Sequence, residues 1–557
     1  MSGGAGLQVE LYDTTLRDGA QGAGVSYSID DRLRILHKLD QLGVPFVEGG
    51  WPGANPRETE FFRLATGETL KHATLTAFGM TRKVGESAGS SAVLRDLLDA
   101  GTQVVTLVGK AWDLHVTDAL RTTLDEGEAM VRDSIGFLCE QGRRVFFDAE
   151  HFFDGYRSDP AFALRILRTA EDAGAERLVL CDTNGGMLPR EVARIVGEVR
   201  QSVRPPLGIH VHNDAGCAVA NSLIAVEHGA YQVQGVVNGY GERTGNADLI
   251  PIAANLVLKM GAECLPDGSL ERLTEVAHYV AEVANVAPDS RQPYAGRYAF
   301  THKAGLHASG VERVSRAYEH VEPTTVGNRR GVVASDLGGG ATIRMKGREF
   351  GVELDGDAVT RLLSELKERE ARGYTFEIAD ASLELLMRRA DGWRQPFFEV
   401  DSYRVHVEER VGDDEPPLAE ATVKVVTKGR RHIESAEGHG PVGALDNALR
   451  KALANDYPEL EHITLEDFRV RVLDETPGGS GGSRSERERA SGSPRPRGTG
   501  AVVRVLIDTS NGRREWTTVG VSENIIEASW EALVDGYLFG LIHPRESEEP
   551  GSEPAVR

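Results

Sequence analysis

The amino-acid sequence predicts a chain of the α/β class: an N-terminal TIM (β/α)8 barrel, α-helical or mixed linker subdomains, and a C-terminal domain made of a duplicated βββα unit. Eight short apolar runs alternate with amphipathic stretches up to about residue 260. Helical and loop segments follow to about residue 395, and a strand-rich pattern then occurs twice. Alternating strands and helices favour parallel pairing, and eight such units fit a closed barrel.

The eight expected barrel strands each end in polar residues. In chain order they are LQVELYDTT, VPFVEGG, ATLTAFG, VVTLVGK, RRVFFDAEH, RLVLCDTN, LGIHVHND and YQVQGVVNGYG. The stretches between them, such as DRLRILHKLDQLG and AVANSLIAVEHG, have helical character, and several end in Gly. An open doubly wound sheet is the alternative, but it usually carries a glycine-rich phosphate loop after its first strand, and this sequence has none there.

The C-terminal part of the sequence repeats itself. The strand patterns EVDSYRVHVEE, EATVKVVTKG and RRHIESAEG precede the helical GALDNALRKALANDY, and FRVRVLDE, AVVRVLIDTS and REWTTVGVS precede ENIIEASWEALVDGY. A shift of eighty positions aligns Gly440 with Gly520 and Tyr457 with Tyr537, which indicates an internal duplication. The expected organisation is a barrel at 1–265, linker subdomains at 266–395, a C-terminal domain at 396–545 with a disordered Gly/Ser/Pro/Arg-rich insertion at 475–500, and a tail at 546–557.

Composition excludes several classes of protein. Of the 557 residues, 40% are apolar and 27% are charged, which is ordinary for globular domains. No apolar run reaches transmembrane length, and the first residues lack the pattern of a secretory signal. Four scattered cysteines without CxxC spacing indicate reduced thiols, hence a cytoplasmic protein. The net charge of −22 argues against nucleic acid as a partner, while a small anion can still bind through local Arg, His or a metal.

Polar and ionisable residues follow the expected strands, at the end of a TIM barrel where the chemistry takes place. Glu150 is a candidate acid or base, and its alternative role is to pair with a nearby Arg. The residues at the strand ends are Asp13, Arg17, Asp18, Glu48, Trp112, His115, Asp148, Glu150, His151, Asp182, Thr183, Asn184, His210, His212, Asp214, Asn238, Glu242, Arg243 and Asn246.

The pair His210 and His212 in GIHVHND predicts a metal site. Residues i and i+2 of a strand share a face, so both rings point into the barrel mouth or both point outward. Two neutral imidazoles directed at one point suit Zn²⁺, Mn²⁺ or a similar ion. We expect the first and eighth strands to flank the seventh, so that Asp13 or Asp18 adds a carboxylate, and the spacing does not choose between them. The alternative is a hydrogen-bonded pair in a hydrated mouth.

Three motifs in this order, LYDTTLRDGAQG, HVHND and NGYGERTGN, resemble those of the α-isopropylmalate synthase, homocitrate synthase and citramalate synthase family, of the DRE-TIM metallolyase group. That group also contains 3-hydroxy-3-methylglutaryl-CoA lyase. The resemblance covers nearly the whole chain. EGGWPGANPRE and GAQGAGVSYS are most similar to the bacterial citramalate synthase branch, whereas the isopropylmalate branch has a pattern closer to Gly-Phe-Pro in place of GGWPGANP.

The resemblance implies roles for individual residues. The implied metal ligands are Asp18, His210 and His212, with Asn246 in or near the coordination shell. The implied substrate contacts are Arg17 at the 2-oxo oxygen, Thr183 at the substrate carboxylate, and Gln21, His115 and Glu242. The implied catalytic residues are Arg17, Glu150, His307 and Tyr318, the last two reaching the partner subunit's active site. His302 competes with His307 for the role of base.

The resemblance also implies a reaction. It is a divalent-metal-dependent (Mg, Mn or Zn) Claisen-type condensation of acetyl-CoA with pyruvate and water, giving (R)-citramalate and CoA on a threonine-independent route to isoleucine. The duplicated domain is then an allosteric, regulatory domain of a homodimer that binds isoleucine or leucine, or a dimerisation module alone. The alternatives are the same reaction with 2-oxoisovalerate or 2-oxoglutarate, an acyl-CoA lyase, a metal-dependent amidohydrolase, whose HxH ordinarily follows the first strand, and an amino-acid sensor with an inactive barrel.

Overall fold

A computed structural model describes residues 6–302, 310–311, 314–332, 340–376, 378–408, 418–473 and 501–544. The chain divides into two compact units, Met1–Thr301 with Glu319–Arg330, and His302–Tyr318 with Gly331–Arg557. None of the helices in the described ranges is long and apolar enough to cross a membrane. The predicted insertion at 475–500 and tail at 546–557 fall outside the described residues, and the predicted domain boundaries stay predictions.

The first unit contains the predicted closed barrel of eight parallel strands. They are β1 (Glu10–Asp13), β2 (Phe46–Glu48), β3 (Thr74–Met80), β4 (Val104–Lys110), β5 (Arg144–Glu150), β6 (Arg177–Asp182), β7 (Leu207–Val211) and β8 (Ala230–Gly235). Each strand pairs with the next, and β8 pairs with β1. The expectation that the first strand flanks the seventh was therefore wrong, because β8 lies between them.

In the described part of the first unit, ten α-helices accompany the barrel. They are α1 (Ile29–Leu42), α2 (Pro56–Ala65), α3 (Ala92–Asp99), α4 (Leu124–Glu140), α5 (Phe152–Ser158), α6 (Pro160–Asp172), α7 (Pro189–Arg200), α8 (Ala218–Glu227), α9 (Leu249–Leu258) and α10 (Leu273–Val283). The first shows how the sequence sets their limits. Ser28 and Asp31 form a reciprocal capping box at its start, and Gly43, at φ 90°, ends it in the left-handed region.

The side chains inside the barrel change from apolar to polar toward the ends of the strands. Tyr12, Phe46, Val104 and Phe146 form a small buried apolar cluster. The Tyr12 hydroxyl leaves this cluster and lies 2.6 Å from a carboxylate oxygen of Glu48. The cluster therefore borders the buried carboxylate of Glu48, which ends β2 and lies on the side of the candidate site.

From residue 340 onward, the described residues of the second unit contain three helices followed by the duplicated βββα domain. The three helices are α11 (Gly340–Glu349), α12 (Gly356–Ala371) and α13 (Asp380–Ala390). The first copy of the repeat consists of β9 (Phe398–Glu408), β10 (Leu418–Thr427), β11 (Arg430–Gly438) and α14 (Pro441–Leu453). The second copy consists of β12 (Thr464–Val472), β13 (Val503–Ser510), β14 (Glu515–Ser522) and α15 (Ile525–Ile542). The two sets of three strands form two antiparallel sheets.

The duplication is present in the structure, but its predicted register of eighty was wrong. The last strands of the two copies end at Gly438 and Ser522, and their helices begin at Pro441 and Ile525, so both boundaries are displaced by 84 residues. Gly520, which the shorter shift aligned with the residue before α14, lies inside β14. The shift is 84 because the buried faces of α14 and α15 must pack against the sheet in equivalent positions in the two copies.

Candidate metal centre and active site

Asp18, His210 and His212 meet at the mouth of the barrel. All three are buried, and one ligand atom from each lies within 4.8 Å of the others. Both histidines come from the end of β7 and its first loop residue, and Asp18 precedes the short 3-10 turn Gly19–Gln21. Nε2 of His210 is 3.3 Å from Oδ2 of Asp18. Asp13, the other candidate carboxylate, instead accepts bonds from the backbone N–H and the hydroxyl of Thr15 at 2.9 and 2.8 Å.

Asn246 completes the group from the loop after β8. Its Nδ2 atom lies 3.4 Å from Oδ2 of Asp18 and 3.4 Å from Nε2 of His210, and its backbone pairs with that of His212. Two buried atoms here, Nδ1 of His212 and Oδ1 of Asn246, lack a hydrogen-bond partner among the described residues. Buried polar atoms normally have hydrogen-bond partners, so these two atoms without a partner are suited to act as ligands of a bound cation.

The protonation states of this group also suit a metal. Burial raises the pKa of Asp18, but Arg17 and then the two histidines outweigh burial and hold that pKa below its usual value. Burial, followed by the proximity of His210, lowers the pKa of His212 to about 3. At neutral pH the group therefore offers a carboxylate and a neutral imidazole, the forms that coordinate metals.

Arg17 is fixed beside this group. Its Nη1 atom pairs with Asp18 and its Nε atom with the buried Glu48. The guanidinium lies over the Phe78 ring, 3.9 Å from the ring centroid. Burial acts to lower the pKa of Arg17, but Asp18 and Glu48 raise it by more. Arg17 is thus a rigid, permanent cation next to the candidate metal ligands.

Other predicted site residues lie on neighbouring strand ends. Thr183, after β6, accepts a bond from the backbone N–H of His151 at 2.9 Å. The His115 ring is stacked with that of Trp112 at 5.0 Å and lies 4.2 Å from that of His151. Glu150 forms an ion pair with Lys110, so the partner expected to be an arginine is a lysine.

Two predicted substrate contacts are exposed. Gln21 ends the 3-10 turn that follows Asp18, and Glu242 lies in the loop after β8, where its carboxylate is 3.7 Å from Arg243. Neither contacts the buried group directly through a described hydrogen bond. Their proposed roles therefore depend on a bound substrate.

The predicted linker residues lie elsewhere in the chain. His302 and Tyr318 belong to the second compact unit, and the Tyr318 side chain is exposed. His307 lies outside the described residues. Because the roles implied for His307 and Tyr318 concern the partner subunit's site, these assignments stay predictions.

The sequence interpretation missed Gln234, a buried residue of β8. Its Oε1 atom is 2.8 Å from Nδ1 of His210, and its Nε2 atom donates to Oδ1 of Asp148 at 3.1 Å. A signal was present in YQVQG, where Gln232 and Gln234 alternate with apolar residues. Such alternation on a barrel strand places both amides on the interior face.

Models of three families match consecutive parts of the chain. The HMGL-like model matches residues 8–280, and the model described as homocitrate synthase post-HMGL domain-like matches residues 295–373. The model of the LeuA allosteric (dimerisation) domain matches residues 377–486 and 494–539. The first match contains the barrel, and the last covers both copies of the βββα unit as far as residue 539, within α15.

Curated relatives match over nearly their whole length. The (R)-citramalate synthase of Streptomyces coelicolor is 50% identical over 96% of each chain. That of Synechocystis is 49% identical over 95% of this chain and 96% of its own, and that of Aquifex aeolicus is 46% identical over 97% and 99%. Identity at this level along the entire chain shows that this protein is an enzyme of the (R)-citramalate synthase family.

Proposed function

We propose that this enzyme condenses acetyl-CoA with pyruvate and water in a Claisen-type reaction that gives (R)-citramalate and CoA. The observation that carries the proposal is the buried group of Asp18, His210 and His212 beside the fixed cation of Arg17, in a chain similar to enzymes of that name. The bond that forms joins the acetyl methyl carbon to the keto carbon of pyruvate. Water then cleaves the thioester, and CoA leaves as a thiol.

Asp18, His210 and His212 would hold a divalent ion, with Oδ1 of Asn246 as a further donor. When bound, the ion supplies Lewis acidity toward the keto group of the 2-oxo acid. Two imidazoles and one carboxylate suit Zn²⁺ or Mn²⁺, whereas Mg²⁺ prefers oxygen ligands. The native metal is proposed to be one of these three.

Arg17 is proposed to stabilise the negative charge that develops on the keto oxygen. A cation contributes most when it is already oriented and shielded from water, and Glu48, Asp18 and the Phe78 ring provide that orientation. Thr183 is proposed to hold the pyruvate carboxylate. Its hydroxyl oxygen already accepts from the His151 N–H, so its own proton remains to be donated.

A base must remove a proton from the acetyl methyl group before the new carbon–carbon bond can form. His307 of one subunit, acting with Tyr318 at the partner's site, is the proposed base, and His302 is the competing candidate. Glu150 is proposed as a second catalytic group within the barrel, and Gln21, His115 and Glu242 as substrate contacts at the mouth. The isoleucine route and the cytoplasmic location stay predictions.

The C-terminal domain is proposed to make the enzyme a homodimer that isoleucine or leucine inhibits. The match to the LeuA allosteric (dimerisation) domain supports this proposal. Sedimentation velocity on the full chain should give a dimer, and one of the two amino acids should inhibit turnover. A monomer that neither amino acid affects would contradict it.

The reaction itself is tested by identifying the product. Full-length protein is incubated with acetyl-CoA, pyruvate and Mn²⁺, and the acid formed is resolved by chiral chromatography. We expect (R)-citramalate, no product after removal of the metal by chelation, and recovery when a divalent ion is returned. A product that forms equally well in metal-free protein would overturn the metal-dependent mechanism.

A further inference from the structure

We propose that Gln234 is a positioning residue that holds His210 in the tautomer protonated on Nδ1 and so directs the lone pair of Nε2 toward the metal. The inference rests on the metal site of the proposed function and extends it to residues that do not touch the metal. It concerns three buried side chains that are linked by hydrogen bonds: His210 on β7, Gln234 on β8 and Asp148 on β5.

The chain of hydrogen bonds has a direction. Nε2 of Gln234 lies 3.1 Å from Oδ1 of Asp148, and a carboxyl oxygen of this kind accepts from the amide N–H. The other end of the same amide, Oε1, faces His210.

This orientation decides which nitrogen of His210 carries the proton. The Gln234 oxygen lies 2.8 Å from Nδ1 of His210, and an amide oxygen can only accept. Nδ1 is consequently the protonated nitrogen, and in a neutral ring Nε2 then keeps its lone pair. Ligand histidines are commonly held in this way by a partner on the other ring nitrogen.

The competing explanation is that Gln234 only fills the polar interior of the barrel. Gln232 provides a matched comparison, because it lies two residues earlier on the same strand and is equally buried. Its amide contacts Glu10 at 3.5 Å, and no described hydrogen bond joins it to a histidine. A purely structural role predicts the same effect for both glutamines.

The test measures metal affinity of the full-length protein directly. Metal-free wild type, Q234M and Q232M are titrated with Mn²⁺, and the free ion is quantified by its electron paramagnetic resonance signal. Methionine keeps the length of the side chain and removes the acceptor. We expect Q234M to bind Mn²⁺ about 10–100-fold more weakly than wild type, the usual cost of losing the partner of a ligand histidine, and Q232M to stay near wild type.

A double variant keeps the test decisive if Q234M does not fold. Q234E/D148N retains an acceptor for Nδ1 of His210 and reverses which side chain carries the amide, so its Mn²⁺ affinity should remain close to that of wild type. Wild-type affinity in Q234M, an equal loss in Q232M, or a large loss in folded Q234E/D148N would overturn the inference alone. A wild-type protein that binds no Mn²⁺ would overturn the metal site and the inference with it.

Discussion

Arg243 and Asp214 form a two-point ion pair that ties the loop after β8 to the loop after β7. Nε of Arg243 donates to Oδ1 of Asp214 at 2.9 Å, and Nη2 donates to Oδ2 at 3.0 Å. The same Nη2 donates to the backbone oxygen of Thr183 at 2.8 Å. One arginine thus joins the three loops that carry Thr183, His212 and Asn246.

Breaking this ion pair should reduce activity much more than stability. The pair is partly exposed, so D214N or R243M should destabilise the protein by less than about 1 kcal/mol. Each should lower kcat/KM by about 10–100-fold, the cost of displacing site groups by roughly 1 Å. Because both changes release the same loops, the double variant should be no worse than the poorer single variant. Steady-state kinetics and thermal unfolding check these expectations, with R194M in the surface pair of α7 as the control.

Fully additive kinetic losses in D214N/R243M would show that the two residues act separately. A loss confined to Asp214 would point to direct substrate contact by that carboxylate. Either result would contradict a shared bracing role.

His212 should be required for metal binding and turnover but not for folding. H212A removes one donor of the buried group, and we expect kcat to fall at least about 10³-fold, the rate equivalent of the several kcal/mol that a Lewis-acid metal supplies. The matched control is H228A, because His228 is exposed at the end of α8. Mn²⁺ titration, turnover and circular dichroism should separate the two variants. Near-normal turnover in H212A without added metal would disprove the assignment.

The stability of the folded state should depend on pH through the carboxylate of Asp40 in α1. Its carboxylate accepts the backbone N–H groups of Lys71, His72 and Ala73 at 2.7–2.9 Å. Burial raises the pKa of Asp40, but these donors outweigh it, and the pKa lies below its usual value. A carboxylate favoured in the folded state stabilises fully above its unfolded pKa of about 3.9, and this contribution is lost as the pH falls through the lower folded value.

D40N should therefore weaken the protein at neutral pH by about 1–2 kcal/mol, measured as the local opening free energy from hydrogen exchange at residues 71–73. The difference from wild type should shrink as the pH falls from about 5 to 3. D172N, at an exposed position, should show no such trend. A difference that stays constant over this range would contradict the role given to Asp40.

The barrel was predictable because its signal is local. Each strand needed only a short apolar run that ends in polar residues, and the i, i+2 spacing of His210 and His212 follows directly from strand geometry. The carboxylate beside them was not predictable from spacing, since Asp13 ends β1 and Asp18 follows it closely. The choice depends on the turn that directs Asp13 onto Thr15.

Contacts between residues far apart in sequence could not be predicted from the sequence. Gln234, 24 residues from His210, contacts it only because β7 and β8 are adjacent in the closed barrel. The register of the C-terminal duplication was wrong for a related reason. Sequence matches such as Gly440 with Gly520 and Tyr457 with Tyr537 suggested a shift of eighty, whereas the bounds and buried faces of α14 and α15 correspond at a shift of 84.

Pyruvate is the 2-oxo acid proposed for this enzyme, and release of CoA tests that proposal most directly. Purified full-length protein is given acetyl-CoA, a divalent metal and, in turn, pyruvate, 2-oxoisovalerate and 2-oxoglutarate, and free CoA thiol is measured. We expect rapid release with pyruvate and little with the other two acids. Release with 2-oxoisovalerate and none with pyruvate would contradict it.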